Sequence, residues 1–380
     1  AMEIYQGDHM KEFPVDVFQT GSGTSTNMNM NEVISHLASS ESNAIHPNDD
    51  VNMGQSSNDV IPSAINVDSS LSVKNNLIPS MKHLKNAIDE KAKSIGDIPK
   101  NGRTHLMDAM PVTFSQEMSA WSAQIQDAIE QYEQSMSKIQ QLAIGGTAVG
   151  TGINADPHLS EKCCKHMNNL TGMEFKPANN SFQAISSQDA ALILSSSNKT
   201  LAVALTKISN DLRWMNSGPL GGLGEITLPV LQPGSSIMPG KVNPVIPESV
   251  CMVAGKVFGN DLTITHAAQS GNFQLNVMLP LVAHSLSESL SLLSNACLSL
   301  ADKAIKDFEV NQENIESMLS RNPILATALN ATIGYETGAQ IVKKAYQEKR
   351  SIIEVATEMT DLDSKTLAEL LDPVKLTRNQ

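Results

Sequence analysis

Apolar residues recur at steps of three and four along three long stretches of the chain, the spacing that lines one face of a helix. In the first, Met118, Trp121, Ile125, Ala128, Tyr132, Met136, Ile139 and Leu142 share a stripe. Asp108 is placed to cap its start, Pro111 suits its first turn, and Gly145 and Gly146 stop it. The second stripe is Leu194, Leu201, Leu205, Ile208, Leu212 and Met215, closed by Gly218 and Pro219. The third runs through Leu279, Val282, Leu286, Leu293, Cys297 and Leu300 to residue 306. Residues 58–95 predict a fourth long helix, broken near Pro79.

Helices of about thirty residues exceed the usual three to four turns, and narrow apolar stripes of that length favour a bundle. Few segments read as strands; 226–231 and 15–18 are the best candidates. The expected fold class is therefore mainly α. Beyond residue 310 the pattern shortens, predicting helices over 312–319, 323–333, 337–348 and 352–358. The expected organisation is an N-terminal part (1–55), a central long-helix domain (56–309) and a small helical C-terminal domain (310–380).

Composition narrows the class. With 41% hydrophobic and 18% charged residues, most of the chain can bury a core. No apolar run approaches membrane-spanning length, and Asp8, Lys11, Glu12 and Asp16 occupy the stretch where a signal peptide would be apolar. The expectation is a soluble, unexported protein, cytoplasmic or, in a eukaryote, in the mitochondrial matrix. The 27 basic against 40 acidic residues give a net charge of −13, which opposes a nucleic-acid surface. An anionic substrate would need a local pocket of cations and N–H donors. Cys163, Cys164, Cys251 and Cys297 lack the spacing of a zinc or iron–sulfur site and read as reduced structural thiols.

Four polar segments interrupt the helices: TGSGTSTNMNMNE (20–32), HPNDDVNMGQSSND (46–59), GRTH (102–105) and GSSIMPGKVNP (234–244). Small hydroxyl and amide side chains interspersed with glycine suit anion binding, because backbone N–H groups can approach a ligand closely. Each has a plainer reading as a capped loop; Ser56 or Ser57 could simply cap the helix that follows.

Taken in order with GGTAVGTG and SGNFQLNV, these strings resemble the fumarase/aspartase superfamily of lyases, most nearly its class II fumarate hydratases. Gly240 in PGKVNP and the SGNF string at 270–273 look like fumarase; aspartate ammonia-lyases typically carry Ala at that glycine. The resemblance implies a homotetramer built on a core of long helices, with active sites shared between subunits, no cofactor, no metal, and a tricarboxylic acid cycle enzyme acting on a C4 dicarboxylate. Neither nucleic acid nor membrane is an expected partner. Family members carry a substantial segment before FPVDVFQTGSG, where twelve residues stand here, and the link between Glu32 and His46 is shorter than usual.

Interconverting malate and fumarate removes a weakly acidic proton beside a carboxylate and expels hydroxide from the next carbon. The charge must spread onto the carboxylate as an aci-carboxylate, so donors and a cation are needed there. By resemblance, Lys241 supplies the cation and Asn243 an amide; Thr104, Ser56 and Asn58 hold the same end. Thr24 and Ser57 bind the other carboxylate, with Ser22 close by. Ser235 resembles the proton-abstracting base, acting as an alkoxide, with Ser236 as the neighbouring alternative. Gly234 and Gly240 fit hinges for loop closure. His105 handles the leaving hydroxyl, oriented by Glu248. His46, Asn48 and Asp49 resemble a secondary carboxylate site; a metal reading of that segment is disfavoured because Asp49 and Asp50 diverge. Aspartate ammonia-lyase and a catalytically silent homologue are the competing readings.

Overall fold

In the computed structural model, which describes residues 1–378, the apolar stripes become helices Phe114–Ile139, Asp189–Met215 and Leu279–Leu300. Every stripe residue is at most 3% exposed except Met136, which is partly buried, and Leu142 lies just beyond its helix in a two-residue strand. Each fully buried Leu or Ile stabilises by about 1.5–3 kcal/mol, so the stripes account for the long helices without help from propensity. The fourth stripe forms Ser57–Ser72 and Ile78–Ile95, joined by a wide helical turn at Val73–Leu77, so the irregularity precedes Pro79. The third helix likewise continues as a wide turn, Ala301–Ile305.

The chain divides into two compact units whose boundaries fall inside helices. One comprises Ala1–Lys82, Asp127–Leu205 and Cys251–Cys297; the other comprises His83–Gln126, Thr206–Val250 and the chain from Leu298 onward. The second unit includes the C-terminal helices, Gln312–Ser320, Tyr335–Glu348 and Ile352–Met359, around a core of Leu325, Leu329, Ile341, Val355 and Leu367. Pro323–Leu329 is a tighter 3-10 turn, and two short helices, Ser364–Leu370 and Pro373–Leu376, follow where no stripe is legible.

Several expectations are corrected. Asp108 caps no helix: it lies with Pro111 in β2 (Met107–Thr113), antiparallel to β1 (Pro99–Thr104). The Phe114 helix is instead started by a capping box, in which Thr113 Oγ1 accepts from Gln116 N at 3.1 Å and Gln116 Oε1 accepts from Thr113 N at 3.0 Å. Residues 15–18 form no strand; Asp16 draws the Phe18 N–H into a local turn at 2.8 Å. Of 226–231, only Ile226–Thr227 pairs, with Glu309–Val310.

Three of the longer helices carried no stripe. Thr24–Ala38 buries Asn27, Asn31 and Ser35, a polar face that apolar periodicity cannot register. Leu159–Thr171 buries only Cys164. Val245–Ala268 has apolar residues on both its buried and exposed faces, which removes the contrast a stripe needs.

No disulfide joins the four cysteines. Cys164 and Cys297 are buried, and burial pushes their thiols up to about 11 and about 12, so they stay protonated and inert. Cys163 and Cys251 are only partly buried. Among the described residues, no helix is long and apolar enough to cross a membrane.

Within the first unit the Tyr132 hydroxyl donates to Asn198 Oδ1 at 2.6 Å, both groups being almost wholly buried. Tyr132→Phe strands that acceptor and should destabilise the protein by about 1–3 kcal/mol in denaturant unfolding. Adding Asn198→Leu should recover part of the loss, because no buried polar group is then left without a partner.

Candidate active site

The first unit holds a chain of three hydroxyls. Ser22 Oγ lies 2.6 Å from Thr24 Oγ1, which lies 2.7 Å from Ser57 Oγ. Thr24 and Ser57 are each the first residue of a helix, so two positive dipole ends lie at this cluster. That is an electrostatic setting for a carboxylate. Close packing builds it. Gly23 holds φ +72°, and a Cβ on Gly21 would stand 1.7 Å from the Val277 carbonyl oxygen. The Gly21 carbonyl in turn accepts from Leu279 N at 2.9 Å.

Ser56 performs the plainer role the sequence allowed. Its Oγ accepts from Asn58 N at 3.2 Å, and Asp59 Oδ1 accepts from Ser56 N at 3.0 Å. Asp59 is completely buried, and its other oxygen accepts from Gly145 N at 2.9 Å and Thr147 N at 2.8 Å. Burial pushes this carboxyl above its ordinary value, and the Thr147, Ser56 and Gly145 N–H donors partly offset the shift. Asn58 Nδ2 donates to Ala148 O at 2.9 Å. The QSSND and GGTAVGTG strings are thereby fastened together at three points. Asp59 was missed as a supporting residue, although the Ser-x-x-Asp spacing of a capping box was legible.

Two of the asparagines of the first polar segment turn inward. Asn27 and Asn31 both donate to Asn52 Oδ1, at 3.2 and 3.0 Å. His46 caps its own turn, Nδ1 accepting from Asn48 N at 3.3 Å and Asp49 N at 3.1 Å, while Asp50 accepts from His46 N. His46, Asn48 and Asp49 remain exposed.

In the second unit, Thr104 pairs with Met107, so His105 and Leu106 are the two-residue loop of a β1–β2 hairpin. Both have left-handed backbones, φ 57° and 60°, the conformation of a type I′ turn usually filled by Asn-Gly. For residues with a Cβ this costs roughly 1–2 kcal/mol each. Such strain is characteristic of functional positions. Gly102 allows the strands to close, since a Cβ there would meet Met110 O at 2.4 Å.

The 234–244 loop closes on itself through its backbone: Ser235 N donates to Lys241 O at 3.1 Å and Lys241 N to Met238 O at 3.2 Å. Gly240 takes φ +83°, and Gly234 leaves no Cβ to strike Lys241 O, which would lie 2.7 Å away. Lys241 and Asn243 stand just before the Val245–Ala268 helix, with Glu248 in its first turn. Among the described residues, the side chains of Thr104, His105, Ser235, Ser236, Lys241, Asn243 and Glu248 make no hydrogen bond or ion pair with one another or with any other residue. In a single chain Glu248 therefore does not pair with His105.

The family model described as "Lyase" matches residues 1–259, and one described as "Fumarase C C-terminus" matches residues 325–378. Fold and polar segments together thus define a helical lyase. The chain is 55% identical to the class II fumarate hydratase of Xylella fastidiosa strain Temecula1 over 378 residues, covering 99% of this chain and 80% of that protein. Identity to "Fumarate hydratase class II 2" of Pseudomonas aeruginosa PAO1 is 56% over 378 residues, 99% of this chain and 82% of the relative. The crystal structure of recombinant class II fumarase from Schistosoma mansoni matches with a TM-score of 0.95 at 39% identity, covering 99% of this chain and 83% of that one. The chain belongs to the class II fumarate hydratase family.

The strained hairpin gives a direct test. Leu106 is 65% exposed, so Leu106→Gly loses little burial while relieving a left-handed residue. The variant should be more stable by about 1 kcal/mol in denaturant unfolding; a loss of stability would contradict the turn geometry.

Proposed function

We propose that the protein catalyses the reversible hydration of fumarate to L-malate without a cofactor. The observation that carries this reading is the 55% identity to a named class II fumarate hydratase across 99% of the chain. The uncommitted side chains of the reacting groups support it: among the described residues, those of Thr104, His105, Ser235, Lys241 and Asn243 make no hydrogen bond or ion pair. The hydroxyl chain Ser22–Thr24–Ser57 at two helix starts suits one substrate carboxylate.

In this mechanism Ser235, as an alkoxide, removes the proton from the carbon beside the second carboxylate. Lys241 and the N-terminus of the following helix stabilise both the alkoxide and the aci-carboxylate that forms. Thr104, Ser56 and Asn58 hold that carboxylate with Asn243. His105 then protonates the departing hydroxide, directly or through water, and Glu248 orients and charges the imidazole. His46, Asn48 and Asp49 form a separate, exposed carboxylate site.

The active unit is a homotetramer in which His105 and Ser235 of one site come from different subunits. Support comes from the Val245–Ala268 helix, which exposes Met252 (71%), Phe258 (37%) and Leu262 (70%). On the same helix Gly255 and Gly259 have no neighbouring atom within 4 Å of where a Cβ would stand. An apolar face with Cβ-free positions suits another copy's helix, and closed symmetry then repeats the composite site in every subunit.

Malate and aspartate turnover, followed by fumarate absorbance in the presence of EDTA, tests the activity. Malate should be consumed and aspartate spared. Ser235→Ala should lower kcat by orders of magnitude with KM little changed, because the hydroxyl acts mainly in the transition state; a raised KM at constant kcat would make it a binding residue.

His105→Asn and Ser235→Ala, each reduced to trace turnover alone, should recover roughly a quarter of wild-type activity when unfolded together at equal proportions and refolded. Persistent inactivity in correctly sized mixed assemblies would rule out sites shared in this way.

A further inference from the structure

The His105–Leu106 turn is held in a left-handed conformation, yet nothing at its tip holds it. Thr104, His105, Leu106 and Met107 are exposed, and the imidazole has no partner among the described residues. The restraint must enter at the base of the hairpin, where two cations of β1 converge on one buried carboxylate. Glu225 is 1% exposed. Its Oε1 accepts from Arg103 Nη1 at 2.7 Å, and its Oε2 lies 2.9 Å from Lys100 Nζ. Lys100, also buried, is shared with Glu117 Oε2 at 2.5 Å, so two positive and two negative groups balance.

Glu225 is itself immobilised. Its N–H donates to Met215 O at 2.8 Å, and its carbonyl accepts from Asn311 N at 2.9 Å. Arg103 Nη1 also donates to Asn101 O at 3.3 Å, spanning Gly102 where the hairpin register shifts. A fixed carboxylate thus grips the residue two positions before His105, on the strand that delivers it.

We propose that Glu225 is a positioning residue for His105: acting through Arg103, it holds β1 so that the strained turn presents the imidazole in one orientation. The inference rests on the hydratase reading, and extends it to a carboxylate that touches no substrate. Misplacing a reacting group by about 1 Å can cost on the order of a hundredfold in rate.

The test is Glu225→Gln in the full, assembled protein. Glutamine fills the same space but carries no charge to balance both cations. Expected are a kcat lower by roughly ten- to a hundredfold with KM nearly unchanged, and faster deuterium exchange over residues 101–108. In a His105→Asn background the same substitution should cost nothing further, because the group it positions is gone. A folded Glu225→Gln protein with wild-type kcat and unchanged exchange, or losses that multiply with His105→Asn, would overturn the proposal. If Glu225→Gln does not fold, Arg103→Lys keeps the charge, loses the rigid fork, and is read by the same outcomes. A wild-type protein inactive on fumarate would defeat the hydratase reading alone, while the exchange measurement still decides whether Glu225 holds the turn.

Discussion

The N–H groups left unsatisfied at the start of a helix are the constraint on which this protein's chemistry rests. Three helices begin inside its polar segments, at Thr24, Ser57 and Val245. At each start the chain must supply acceptors or leave donors facing outward. Ser56 and Asp59 meet part of that demand internally at the second helix, whereas Lys241 and Asn243 before the third are left uncommitted. A protein of net charge −13 thereby gathers local positive potential for an anionic substrate without a surface of cations.

The two units divide the polar groups by how tightly they are held. In the first, the hydroxyls and amides are already bonded to one another and to Asp59, Gly145, Thr147 and Ala148, a preorganised arrangement suited to binding. In the second, the groups assigned to proton transfer stand on an exposed hairpin tip and a self-closed loop. Beneath the hairpin lie matched charges, Glu225 and Lys100, that are buried away from the surface. Burying such charges is costly unless they are matched, which is why both cations and both carboxylates occur together.

Sequence reasoning was strongest where burial is one-sided. The stripes from Met118 to Ile139, Leu194 to Met215 and Leu279 to Leu300 were legible because one apolar face meets the core and the other does not. It failed on Thr24–Ala38, whose buried face is asparagine and serine, and on Val245–Ala268, whose exposed face also carries Met252, Phe258 and Leu262. It also placed a helix start at Asp108, since a capping residue and a proline look alike whether they open a helix or sit in a hairpin.

By itself the sequence determined the mainly helical class, the free-thiol chemistry, the order of the polar segments and the family they belong to. These depend on residue identity, short spacing and long matched strings. Tertiary structure alone decided that His105 sits in a left-handed turn, that Asp59 joins two segments 86 residues apart, and that Glu225 receives both Lys100 and Arg103. Such pairings are set by which surfaces the packed helices bring together, and a buried charge or a strained turn is stable only after that packing has fixed its partners.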